Sequence, residues 1–233
     1  METASEPSVL TLSPERIGRW AERRLVRPAG SEHARLASVF QNILWTARQY
    51  IPSESGSICL SGLSGDDSEL VYVAAFGTGA ERIVGMALPV SQGITGKVFR
   101  EGRTRLSNAA YDEEDFYAAF DDTSRYTTRS LLAVPVTVAG EIVGVIGLFN
   151  REGDAGFSDA DLRLLEVLCG YASNSLLNLS DAFHHRELAR RDDLTGLRND
   201  RCFHRQLRVE LERREETGGD LSLVFLDLDR FKA

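Results

Sequence analysis

The sequence predicts an α+β fold: an antiparallel sheet with flanking helices, then a long connecting helix, then one more helix and one strand. Three observations predict it. Helical periodicity frames residues 31–180 at its two ends, whereas the interior reads as short apolar runs broken by glycine and acidic turns. Ala139-Gly140 sits between two apolar runs, the signal of a tight hairpin and so of antiparallel pairing. No proline follows Pro135, so the helical pattern that begins at Ser158 is free to run on to about Arg191, with Gly170 its lone glycine.

Taken in order, residues 1–30 read as a tail holding a short basic helix. Ser13-Pro14-Glu15 is a helix start, and Ile17, Trp20 and Leu25 form an apolar stripe beside Arg16, Arg19, Arg23, Arg24 and Arg27. Such a helix suits an anionic membrane surface, its own domain or a dimer partner. Leu36, Val39, Phe40, Ile43, Leu44 and Ala47 trace one face of the next helix, and Pro52 follows its end. Strand signals cover 57–63, 69–76 and 82–89, with Gly65-Asp66-Asp67 as a turn. Residues 93–102 read as a short helix and 104–107 as a brief strand. A polar stretch with scattered aromatics, 108–128, leads to the hairpin of 130–138 with 141–150.

Composition excludes several classes of function. Of the 233 residues, 42% are hydrophobic and 27% charged, the balance of a soluble globular protein. A net charge of −8 argues against nucleic acid as the main partner. No apolar run approaches the roughly 20 residues that cross a bilayer, and no signal-peptide pattern opens the chain. Cys59, Cys169 and Cys202 are scattered and odd in number, which suggests neither a disulfide framework nor a zinc cluster. The expected location is cytoplasmic.

The strongest chemical signal lies at the C-terminal end. Leu223-Val224-Phe225-Leu226 is an apolar run that leads into Asp227-Leu228-Asp229-Arg230-Phe231-Lys232. A buried strand would carry the two carboxylates to a sheet edge, where their oxygens suit a hard cation such as Mg²⁺. Backbone N–H groups and Lys232 there suit phosphate. Acids that merely end a strand and face water are the alternative. Upstream, Asp192-Asp193-Leu194-Thr195-Gly196-Leu197-Arg198-Asn199-Asp200-Arg201-Cys202-Phe203 reads as a turn feeding a helix, with Asn199 or Asp200 as its N-cap and Phe203, Leu207 and Leu211 on one face.

Together these segments resemble the opening of the GGDEF domain of diguanylate cyclases. The D-x-L-T-G-L-x-N-R-R-x-F pattern matches at Asp192, Leu194, Thr195, Gly196, Leu197, Asn199, Arg201 and Phe203, and departs at Asp200. The D-x-D-x-F-K pattern matches at Asp227, Asp229, Phe231 and Lys232. The resemblance implies condensation of two GTP molecules into cyclic di-GMP between two subunits, by attack of a 3′-hydroxyl on an α-phosphate. It implies Mg²⁺ held by the Asp227 carboxylate and the Leu228 carbonyl. It further implies triphosphate contacts from the Arg230 and Phe231 amides and the Lys232 ammonium, with Asp192, Asn199 and Asp229 in support. Gly218-Gly219-Asp220 is not the family's signature turn, since Leu221-Ser222 follows it. Residues 192–233 are therefore expected to be the N-terminal part of a GGDEF domain, truncated before that turn.

Residues 31–180 resemble a GAF sensor domain. The resemblance rests on Val90-Ser91-Gln92-Gly93-Ile94-Thr95-Gly96-Lys97-Val98, on Leu131-Leu132-Ala133-Val134-Pro135-Val136, on 140–148, and on Phe157-Ser158-Asp159-Ala160-Asp161. It implies a small-molecule pocket between the sheet and residues 93–128. Tyr111, Phe116, Tyr117, Phe120 and Tyr126 are its candidate stacking residues, or else aromatics that close the core. The ligand is unidentified, and a cyclic nucleotide is one candidate. The N-K…F-x-x-x-D-E pattern of cyclic-nucleotide binders matches at Asn150, Phe157 and Asp161 but has Arg151 for Lys and Leu162 for Glu. No cysteine precedes a histidine, as bilin attachment would need. Haem has little support, with His33 on the first helix and His184, His185 and His204 beyond the domain.

Leu162, Leu165, Cys169, Ala172, Leu176, Leu179 and Phe183 recur at three- and four-residue spacing, a heptad-like seam. For 162–172 it could equally pack on its own sheet. From Leu176 onward the seam predicts a parallel homodimer through the helix of 158–191, with 181–191 as the signalling connection. Two functions are then open. One is the sensory part of a diguanylate cyclase; the other is a non-enzymatic GAF ligand-binding or dimerisation protein with a vestigial GGDEF stub. On either reading, purified 1–233 incubated with GTP and Mg²⁺ is expected to form no cyclic di-GMP, and product detected by chromatography would contradict this.

Overall fold

The computed structural model describes residues 9–24, 33–117, 126–188, 199–218 and 220–224, together with 192, 195 and 197. The chain divides into two compact units, 1–183 and 184–233.

The first unit is built on a seven-stranded antiparallel sheet. Its strands are β1 (Leu10–Thr11), β2 (Ser53–Ser61), β3 (Glu69–Gly77), β4 (Ala87–Pro89), β5 (Arg105–Ser107), β6 (Leu131–Val138) and β7 (Glu141–Arg151). Their order is β1-β3-β2-β7-β6-β5, and β4 pairs with β3. β1 and β4 share one edge of β3, at Ala74–Ala75 and at Glu69–Val71. The β6–β7 hairpin turns at Ala139 and Gly140, both left-handed with φ of 51° and 86°.

Both faces of the sheet are covered, which is why its strands read as nearly unbroken apolar runs. Side chains alternate across a strand. Ile58 and Leu60, Val71 and Val73, Leu132 and Val134, and Ile146 and Leu148 therefore enter one core. Cys59, Leu70, Tyr72, Leu131, Ala133 and Val145 enter the other. The first core is closed by α1 (Pro14–Arg24), α2 (His33–Tyr50) and α5 (Asp159–Leu188), the second by α4 (Gly93–Glu101). At Gly144 of β7 a Cβ would stand 2.1 Å from the Cys59 carbonyl oxygen. Only glycine permits β7 to lie so close to β2.

Several expectations are corrected. Residues 82–89 are not one strand. A short helix, α3 (Ala80–Ile83), is followed by a turn at Gly85 (φ 94°), which leaves only three residues for β4. β2 begins four residues before the expected start and stops at Ser61. Residues 9–24, expected within a tail, pack on their own domain, one of the readings the sequence left open. Ile17 and Trp20 are fully buried, Trp20 Nε1 donates to the Ser61 carbonyl at 2.7 Å, and β1 extends the sheet. The apolar stripe of that helix is occupied within its own chain, except for Leu25, which lies outside the described residues.

The seam of the long helix is corrected at Leu176, whereas for 162–172 one of the two open readings holds. Leu165, Cys169, Ala172 and also Leu176 are buried in the first unit's own core, so this stretch packs on its own sheet. The side chains of Leu179 and Phe183 lie outside the described residues. In the second unit, α6 (Asp200–Thr217) forms as the spacing predicts. Residues 221–224 form no strand, and Leu223 and Val224 are exposed: among the described residues no neighbouring strand offers the backbone bonds a strand needs.

Replacing Trp20 by Ala removes a fully buried side chain together with its hydrogen bond. The expected loss is about 3–5 kcal/mol of unfolding free energy in urea. A loss below about 1 kcal/mol would mean that α1 is only a surface appendage.

Candidate ligand cavity and its clasp

On the α4 face of the sheet lies a cavity with about 80 Å³ of space open to the centres of water molecules. Three of the aromatics singled out in the sequence, Phe116, Tyr117 and Tyr126, line it. Tyr111 does not; it is 53% exposed and packs on Phe116 from outside, with ring centroids 4.5 Å apart. Phe120 lies outside the described residues. The floor consists of residues that sequence reasoning missed: Ser55 and Ser57 of β2, Tyr72 of β3, Leu131 of β6 and Phe149 of β7. Ser55 and Ser57 are polar at alternate positions of a strand, a faint signal that one face of it meets something other than packed side chains.

Hydroxyl groups supply the polarity of this cavity. The Tyr72 side chain hydrogen-bonds with Thr95, and Tyr126 with Ser55 and Glu54. Burial raises the pKa of both phenols, with the Glu54 carboxylate adding at Tyr126, so each stays a neutral hydroxyl. Burial likewise pushes the Cys59 thiol beneath the floor up to about 12, and its Sγ donates to the Val145 carbonyl at 3.6 Å. A thiol so held is inert. The first turn of α4 adds Gly93, Ile94 and Thr95 to the wall, and the Gln92 side chain makes no capping bond there.

The segment carrying Tyr126 and Thr128 is tied down by Asn150, the penultimate residue of β7. Asn150 is 1% exposed and left-handed, with φ of 52°. Its Nδ2 donates to the Glu54 carboxylate and to the Thr127 carbonyl, both at 2.8 Å. Its Oδ1 accepts from the Arg129 and Ser130 amides at 2.7 and 3.2 Å. Arg129 closes the loop with an ion pair to Glu54. Desolvation opposes ionisation of Glu54, but bonds from Asn150, Arg129 and Tyr126 together hold its carboxyl below the usual range.

The next residue, Arg151, reaches the other way. Its Nε donates to Asp161 Oδ2 at 3.2 Å and its guanidinium to the Pro52 and Glu152 carbonyls. Asp161 also accepts from the Ser158 amide and hydroxyl, each at 2.9 Å, while its own amide donates to Ser158 Oγ at 3.2 Å. This reciprocal cap starts α5. Asn150, Phe157 and Asp161, which match the partial cyclic-nucleotide pattern, and Arg151, which departs from it, thus all have structural work: Phe157 is buried in the main core, and Asn108 accepts from its amide at 2.7 Å.

In the second unit Asp192 Oδ1 accepts from the Thr195 amide and hydroxyl at 3.0 and 2.8 Å. Asn199 accepts from the Cys202 amide at 3.1 Å and is the N-cap of α6. These two residues therefore shape the turn that opens the helix. Asp227, Leu228, Asp229, Arg230, Phe231 and Lys232, the expected metal and phosphate residues, lie outside the described residues.

The fold and site define the class: an α+β domain with a sheet flanked by helices and a partly enclosed cavity on one face. Residues 33–176 match the GAF domain family, and the chain belongs to it. Residues 189–233 match part of the diguanylate cyclase GGDEF domain, so a GAF domain is followed here by the opening of a GGDEF domain. An uncharacterized protein of Mycobacterium tuberculosis is 34% identical over 123 residues, 52% of this chain and 19% of its own length. A probable 3′,5′-cyclic phosphodiesterase of Caenorhabditis elegans is 30% identical over 99 residues, 42% of this chain and 12% of its own length. This chain thus spans less than a fifth of either relative. The crystal structure of a GAF domain/HD domain protein from Geobacter sulfurreducens shares the fold, with a TM-score of 0.53 at 14% identity, covering 64% of this chain and 95% of that one. Among the described residues no helix is long and apolar enough to cross a membrane.

Desolvation opposes ionisation of Asp161, but the Ser158 and Arg151 bonds outweigh it and hold its carboxyl below the ordinary 3.8. A depressed folded pKa gives stability that is complete above the unfolded value and is lost as pH falls through the folded one. The stability advantage of the parent chain over Asp161→Asn should therefore be constant near neutrality and shrink toward about pH 3. Urea midpoints measured across that range check it; an advantage independent of pH would contradict it.

Proposed function

We propose that the GAF domain is the ligand-responsive control module of a cytoplasmic diguanylate cyclase. The GGDEF match supports the output, and the cavity supports a small-molecule input. The observation that carries the link between them is the adjacency of Asn150 and Arg151 on β7. One residue fixes the segment that walls the cavity, and the next holds the first turn of the helix that leads toward the GGDEF segment. A ligand that shifts Tyr126 and Thr128 would strain Asn150, and a backbone shift there would be felt at the Arg151–Asp161 pair.

In the complete enzyme, GTP and Mg²⁺ would be held by the Asp227 carboxylate, the Leu228 carbonyl, the Arg230 and Phe231 amides and the Lys232 ammonium, with Asp229 in support. The metal would supply charge neutralisation at the phosphates. These residues would orient the triphosphate. Such chemistry needs two facing half-sites, so the protein would act as a homodimer. Val167 and Tyr171, 69% and 68% exposed on α5, offer apolar surface that the domain's own core does not use. They support a dimer face distinct from the buried seam.

Two measurements test this reading. Light scattering of 1–233 should give twice its 25.8 kDa mass, with Tyr171→Glu shifting it toward monomer; a concentration-independent monomer contradicts the dimer. A protein in which residue 233 is followed by a complete GGDEF domain should form cyclic di-GMP from GTP and Mg²⁺. In that protein Arg151→Ala should change kcat by about tenfold, a coupling of roughly 1.4 kcal/mol, at unchanged KM for GTP. Equal kcat would separate the clasp from regulation.

A further inference from the structure

We infer that the cavity takes a small uncharged molecule built on a single planar ring carrying a hydrogen-bonding oxygen, and not a nucleotide. This rests on the reading of the cavity as the ligand site. Size is the first constraint. A dry cavity of about 150 Å³ takes a benzene ring, so the 80 Å³ enclosed here holds no more than one ring, with any remainder of the ligand in the open mouth. A cyclic nucleotide has about three times the non-hydrogen atoms of one substituted ring. Charge is the second. Among the described residues lining the cavity there is no Asp, Glu, Lys, Arg or His. A charged ligand would lose its hydration there without gaining an ionic partner, which costs heavily.

The lining then selects the shape and the polar group. Phe116, Tyr117, Tyr126 and Phe149 surround the space with ring surface, which favours a flat aromatic partner. Polar contacts come from hydroxyls, above all the bonded pair Tyr72 and Thr95, and Thr95 lies in the first turn of α4. A phenol or a cyclic amide meets all of these conditions with one ring.

Thermal unfolding of the purified 233-residue chain, titrated with phenol, 4-pyridone, uracil, cyclic GMP and cyclic AMP, tests the inference. At least one ring probe at tenfold its Kd should raise Tm by about 3–6 °C, and neither nucleotide should do so. Ile83→Trp, on the partly exposed α3, should abolish the rise by filling the cavity while unfolding stays cooperative. Stabilisation by a nucleotide and by no ring probe overturns the inference but leaves the ligand-site reading intact. Silence from all three ring probes also overturns it. An Ile83→Trp chain then more stable than its parent would mark the cavity as packing space and remove the ligand-site reading with it.

Discussion

The arrangement depends on one buried carboxamide. Asn150 sits at the end of a central strand in a left-handed conformation that few side chains tolerate, and its carboxamide makes four hydrogen bonds. A buried amide left partly unpaired would cost about 1–3 kcal/mol per lost bond. The segment of 126–130 is therefore not free to choose its path across the sheet. It is set by β7, and Glu54 and Arg129 fasten it a second time from β2. The wall of the cavity thereby becomes an extension of the sheet rather than a loop laid over it.

The sheet in turn is fixed by burial on both faces. On one side α1, α2 and α5 form a dry core that includes Trp20, Phe40 and Phe76. On the other, α4 covers only part of the surface, and the remainder is the cavity. The same β2 and β3 strands serve both. A ligand resting on Tyr72 and Ser57 thus touches strands whose opposite faces pack against α2. Transmission through so closely packed a sheet requires small displacements only, because interiors of this density pass strain on rather than absorb it.

Legibility in the sequence followed the physics of each element. The β6–β7 hairpin was plain because Gly140, between two apolar runs, offers the left-handed freedom that a two-residue turn needs. The start of α5 was plain because Ser158 and Asp161 form a reciprocal cap. β1 and β4 were not, since strands of two and three residues have no period and owe their existence to the edge of β3. Trp20 and Ile17 announced a stripe but not what it packs on. The cavity was half legible: Phe116, Tyr117 and Tyr126 stood out in a polar stretch. Tyr72 and Phe149 were hidden in strands that are apolar on both faces. The heptad-like spacing misled at Leu176, because a helix lying on a sheet shows the same three- and four-residue rhythm as one lying on a partner.

The partial cyclic-nucleotide pattern illustrates how a motif and its ligand separate. Asn150, Arg151, Phe157 and Asp161 are here explained by tethering, capping and packing, so their presence says little about what fills the cavity. Their arrangement says much about how a filled cavity would be felt. The central claim is that Asn150 joins the cavity wall to the helix through β7. Hydrogen exchange of the parent chain and of Asn150→Ala tests it most directly. Faster exchange is predicted both at 126–130 and in the first turns of α5, with β3 unchanged; an increase confined to 126–130 would contradict the claim.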